Sequence, residues 1–133
     1  MKKKYFGFLF VLVLSFIALA GCSSEPKGEV KEVIDAVISN ETEINNTVLR
    51  DDQESTNYSY NMDDFSFKIW HETNTDEYVA DVWVPVQNDP NDQEVLYHYK
   101  MGEVELSFGV SKLSEILASG TYEEVYSSGK FKE

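Results

Sequence analysis

Cysteine occurs once in the 133 residues, at Cys22. A lone thiol excludes an intrachain disulfide and a thiolate metal cluster, so the fold must be held by its core. Basic residues are few: 11 Lys and Arg stand against 24 Asp and Glu, a net charge of −13. That balance supplies no basic footprint for a phosphate backbone and excludes nucleic acid as a partner. Long apolar runs are missing as well. The apolar run that precedes Gly21, residues 5–20, falls short of the roughly 20 residues that cross a bilayer. No Gly-x-Ser-x-Gly elbow, His-Glu-x-x-His pair or Asp-x-Asp-x-Asp-Gly loop occurs, which leaves nucleophilic, zinc and EF-hand chemistry without a motif. Carboxylates are numerous, and a glycosidase pair would need two facing acids in a cleft, a matter of tertiary placement.

What is present begins at the N-terminus. Lys2, Lys3 and Lys4 precede the apolar run, which ends in "LAGC", Leu19 to Cys22. A basic start, a short apolar middle and small residues before a cleavage point make a secretory signal. The last four residues resemble the lipobox of bacterial lipoproteins. The resemblance implies a thioether-linked lipid on Cys22, cleavage just before it, and a signal peptide over residues 1–21. Two or three acyl chains anchor stably where one is marginal. The expected location is extracytoplasmic, at the cell membrane through the N-terminal lipid, or at the outer membrane if the host is diderm, since Ser23 follows the cysteine. Ten Lys against one Arg, with many Asn, lean toward a Gram-positive host.

Cleavage removes three Lys and no acid, leaving eight bases against 24 acids, about −16 by side-chain count. Such a body is repelled by anionic lipid, while the charge keeps an exported domain soluble. Residues 22–28, the lipidated cysteine and "SSEPKG", read as a polar tether. Residues 29–133 have the size of one domain.

From 29 to 50, Val30, Val33, Ile34, Val37, Ile38, Ile44 and Val48 recur at three- and four-residue steps, with Glu41 interrupting the stripe. This predicts an amphipathic helix that covers something else. From Tyr58 the period changes to two. Phe65, Phe67 and Ile69, then Tyr78 to Val86, then Val95 to Met101, then Val104 to Phe108 alternate with polar residues, and "ETNTDE" and "NDPNDQ" read as turns. Without helical crossovers between them, about four strands form an antiparallel meander. Pro85 marks an edge, a bulge or a bend in the second strand. "SKLSEILASG" predicts a short C-terminal helix capped by Ser111, and "TYEEVY" could add one more short strand. The expected fold class is therefore α+β: an N-terminal helix packed on a curved antiparallel sheet.

The lipobox, the polar tether, the helix "EVKEVIDAVIS" and the Tyr-rich strands ending in "GTYEEVY" resemble small Gram-positive lipoproteins with a cystatin-like fold. That family is of unknown function, and some members lie on conjugative elements, where such a lipoprotein can block redundant transfer. The cystatins inhibit papain-like proteases through a Gln-x-Val-x-Gly hairpin. Gln87 leads into "QNDPN" and Gln93 into "QEVLY", so that activity is not implied here.

The remaining candidate sites are modest. His71 and His98 are the only histidines, and their spacing gives no metal site. Asp89, Asp92 and Glu94 crowd one segment, but it lacks the glycine and spacing of a calcium loop, and turn chemistry explains the residues without a metal. Neither a cofactor nor a metal is expected. Trp70 and Trp83 fall on the face of the sheet away from the helix. They close a small second core with the 111–118 helix, or form a partner-binding surface, as Trp is enriched at interface hot spots. The expected function is non-enzymatic: a membrane-anchored surface lipoprotein that binds another envelope protein, with conjugation or exclusion as one form. The alternative is an NTF2-like domain, a small-ligand binder or enzyme using a helix–sheet pocket.

Overall fold

A computed structural model describes residues 26, 28–47, 57–107 and 109–132. The expected signal peptide, Cys22, most of the expected tether, the positions beyond Thr47 that the periodicity assigned to the helix (Val48 among them) and Phe108 lie outside the described residues. Among the described residues no helix is long and apolar enough to cross a membrane.

The first helix, α1, spans Glu29–Thr47. Glu29 and Glu32 sit in its first turn, where carboxylates complement the unpaired N–H groups. Val33, Ile34 and Val37 are buried on one face, and full burial of each contributes about 1.5–3 kcal/mol. The same face continues through Glu41 and Asn45, both buried. The polar break in the stripe is thus part of the helix–sheet contact.

Five strands follow: β1 (Ser66–Glu72), β2 (Glu77–Val86), β3 (Asp89–Lys100), β4 (Glu103–Ser107) and β5 (Tyr122–Ser127), with a short helix α2 (Leu113–Ala118) before β5. Their order across the sheet is β4-β3-β2-β1-β5, and every neighbouring pair is antiparallel. The chain is α+β, as the change of period predicts. Phe67 and Ile69, Ala80, Val82 and Val84, Val95 and Tyr97 face α1 and are buried with it.

The structure departs from the sequence expectation in four places. The sheet has five strands rather than about four, because 122–127 return to pair with β1. The short helix lies between β4 and β5 rather than at the C-terminus. Ser111 does not cap it: a 3-10 turn over Val110–Lys112 leads in, and Lys112 at the cap position makes no side-chain hydrogen bond. The "NDPNDQ" segment is mostly strand, since Val86 pairs with Asp89 and only Gln87 and Asn88 turn, Gln87 with φ 54°.

Pro85 does not mark an edge strand, for β2 is the middle of the sheet. It occupies a register break between Val84 and Val86. Ser66 is the first β1 residue to pair, opposite Trp83, so Pro85 lies beyond β1, where a missing N–H costs no ladder bond on that side.

Candidate binding surface

Successive side chains on a strand alternate faces. The face of the sheet away from α1 therefore displays Ser66, Lys68, Trp70 and Glu72 of β1, Glu77, Val79, Asp81 and Trp83 of β2, and Glu94, Leu96, His98 and Lys100 of β3. The pairing sets them in rows: Trp83 beside Ser66 and Glu94, Asp81 between Lys68 and Leu96, and Val79 between Trp70 and His98. Trp70 and Trp83 share this outer face, as expected. They sit on either side of the Lys68–Asp81 row, two rows or about 13 Å apart along the strands.

Val79 and Leu96 are the buried apolar centre of this face, and both tryptophans are half-buried. Ile116 of α2 closes over Val79 and Leu96, leaving a cavity of about 170 Å³ rimmed by His98, Glu105 and Ser107. The second core is real but small, and Val79 and Leu96 make it rather than the tryptophans. Each tryptophan instead has a lysine nearby. Lys130 Nζ lies 3.7 Å from the Trp83 ring centre, and Lys68 Nζ lies 5.7 Å from that of Trp70, distances at which an ammonium is attracted to the ring face.

Asp81 is the electrostatic focus of the surface. It is 6% exposed, and its Oδ1 is buried with no hydrogen-bond partner. Burial pushes its carboxyl up to about 7, helped by a hydrogen bond and like charge from Glu94 and opposed by Lys68. Lys68 is turned to Glu124 at 3.4 Å. Asp81 and Glu94 thus form a like-charged pair on neighbouring strands, in which the neutral form of Asp81 is favoured.

The other sequence candidates are dispersed. His71 stacks on Tyr78 on the helix side, ring centres 4.7 Å apart, with Nε2 2.6 Å from Asp76 Oδ1. His98 lies on the outer face, 4.0 Å from Glu77. Opposite faces keep the two imidazoles from sharing an ion. Asp89 and Asp92 are exposed while Glu94 is half-buried, and no group of three or more metal-ligating side chains forms among the described residues.

On the helix side, Glu41 accepts a hydrogen bond from the Tyr97 hydroxyl, which also accepts one from Asn40 Nδ2 at 2.8 Å. Burial raises the Glu41 carboxyl and the Tyr97 bond opposes that rise; the Tyr97 hydroxyl is itself raised. Asn45 accepts from Gln87 N–H at 2.8 Å and donates to the Pro85 carbonyl at 3.3 Å, tying the helix to the β2–β3 turn. A cavity of about 170 Å³ lies here, lined by Ile44, Val84, Val95, Leu106 and their neighbours.

Sequence reasoning missed the Asp81–Glu94 pair. Its one signal is an aspartate inside the apolar run "YVADVWV", a position where a strand buried on both faces has no water to offer. Comparison of the chain with protein-family models, curated proteins and solved structures finds no match.

Proposed function

We propose that this protein is a membrane-anchored surface lipoprotein whose domain, cystatin-like in its single long helix laid across an antiparallel meander, acts as a non-enzymatic protein-binding module. The partner is another envelope protein. The observation that carries this reading is the outer sheet face, where half-buried Trp70 and Trp83 lie on either side of the buried Asp81. Half-buried tryptophans on a preorganised sheet are the side chains that dominate protein interfaces. The anchor rests on the signal, the lipobox and Cys22. Six residues separate Cys22 from the first residue of α1, so the domain stands within about 25 Å of the lipid at full extension. A role in conjugation or exclusion is the specific form that the lipoprotein resemblance suggests.

The NTF2-like alternative needs a ligand pocket between helix and sheet. The cavity there is about 170 Å³, below the ~300–1,000 Å³ of small-molecule sites, which favours the binding module. A photo-crosslinking amino acid at position 70 or 83 of the lipidated protein in cells tests the proposal. A discrete protein adduct from both positions, absent from position 43 on the exposed side of α1, supports it. Adducts to lipid-processing enzymes alone overturn it.

A further inference from the structure

The sheet has two edges, and they are not alike. β5 is blunted. Its register slips between Tyr126, opposite Ile69, and Glu124, opposite Trp70, leaving Val125 in a bulge. The chain then turns through Gly129–Phe131, where the Lys130 N–H reaches Ser66 Oγ at 2.9 Å. Bulges and returning chain are standard protections of an edge. β4 carries no bulge, and its register against β3 is continuous from Glu103 to Ser107.

The backbone of β4 is also oriented for pairing. Lys100 and Glu103 flank a two-residue turn, Met101 and Gly102, both with positive φ (52° and 82°), the geometry of a type I′ hairpin. The pairs Lys100–Glu103, His98–Glu105 and Leu96–Ser107 then exchange the ladder hydrogen bonds. Val104 and Leu106, in the alternate pairs, turn their N–H and C=O away from β3. No other strand meets them among the described residues.

Side-chain space borders this edge on both faces. A groove of about 590 Å³ runs past Glu103, Val104 and Glu105, with Met101, 90% exposed, beside it. The cavity under α2 opens against Glu105 and Ser107, and the helix-side cavity against Leu106. An added strand gains its affinity from main-chain bonds and its selectivity from such alternate side-chain spaces.

We propose that β4 is a strand-addition site for an extended segment of a partner protein in which basic residues alternate with apolar ones. The inference deepens the protein-binding reading and rests on it. Charge selects the occupant. Glu103 and Glu105 are exposed at the edge, and the nearest cation, Lys100, is engaged with Glu77 at 3.1 Å. Lysine or arginine opposite Glu103 and Glu105 is favourable, while like charges directly opposite are not. A second copy is therefore a poor occupant: antiparallel pairing centred on Glu105 sets Glu105 against itself. Apolar residues of the incoming strand fall beside Val104 and Leu106 on the helix side.

The test uses the mature protein and a blocked seven-residue peptide of alternating lysine and valine, followed by amide NMR. The expected result is one-to-one binding in which the Val104 and Leu106 amides shift most and exchange about tenfold more slowly with solvent. Affinity falls about tenfold or more in the double variant E103K/E105K and in about 0.5 M NaCl, while a glutamate–valine peptide does not bind. V104P removes one outward N–H and blocks binding; because it can also loosen the hairpin, the charge-reversed double variant is the decisive one. Shifts centred on Trp70 and Trp83, or spread evenly over the acidic surface, overturn the proposal, as does self-association that protects the β4 amides. Adducts from positions 70 and 83 in cells, together with a silent β4, would refute the edge site and leave the binding module standing.

Discussion

Asp81 gives the sharpest energetic prediction. Its folded carboxyl titrates near 7 against an ordinary value of 3.8, because burial withholds solvent from the charged form and Glu94 adds a second negative charge. A folded value above the unfolded one means that the protonated pair favours folding. That contribution is complete below about pH 4 and is lost as pH rises through 7. The rise from 3.8 to about 7 sets a ceiling of about 4 kcal/mol. Glu94 is half-buried and keeps contact with water, and Lys68 offsets part of the charge, so about 2 kcal/mol is the working expectation. D81N removes the titration and the negative charge beside Glu94 and keeps the shape. Urea unfolding of the mature chain, followed by tryptophan emission at pH 5, 6, 7 and 8, measures the effect. Wild type should lose stability from pH 5 to about 7 and level off by pH 8, and D81N markedly less, so that the variant gains on wild type by about 1 kcal/mol between pH 5 and pH 8, the rest of the difference falling below pH 5. Glu41, also raised by burial, adds slope of the same sign to both proteins, so the difference between them is the readout. Parallel profiles for the two would refute the reasoning.

Three further outcomes follow from single contacts. Gly129 has φ +59°, and a Cβ there would stand 2.1 Å from Ser66 Oγ, so G129A should cost about 2 kcal/mol or more in urea midpoint terms and free the 129–131 turn from β1. Y97F deletes the hydroxyl that bonds buried Glu41; an unsatisfied buried acceptor costs about 1–3 kcal/mol, and adding E41Q to Y97F should recover part of it, which a double-mutant cycle reads. C22S should abolish labelled-palmitate incorporation and release the protein from membranes, and globomycin should block processing of the wild-type precursor; unchanged processing would remove the anchor from the proposed function.

The edge site and the acidic pair belong to different parts of the same surface. Glu105 lies opposite His98, one row from Leu96 and Asp81. A partner strand on β4 would lie alongside α2, which places no buried residue of its own against the sheet. The tryptophan face and the free edge can therefore be read by one protein, with the strand supplying main-chain bonds and the tryptophans supplying contact area.

Much of the architecture was legible in the chain because periodicity is a local property. Val33, Ile34 and Val37 at helical spacing, and Tyr78, Ala80, Val82 and Val84 at strand spacing, announce their faces without reference to anything distant. A single cysteine leaves no intrachain disulfide, the acidic balance argued against nucleic acid, and the ordered leader pointed to a lipid on Cys22. What the chain could not show is which strand lies beside which. Strand order decided that Pro85 sits in the central strand yet past the end of β1, that residues 122–127 add a fifth strand, and that β4 has no outer strand partner among the described residues. Likewise Asp81 reads as one polar residue in an apolar run until β3 brings Glu94 beside it. Two carboxylates brought together from 13 positions apart and, among the described residues, a row of backbone groups left without a strand partner are products of register, and register is set only when the hydrophobic faces close on one another.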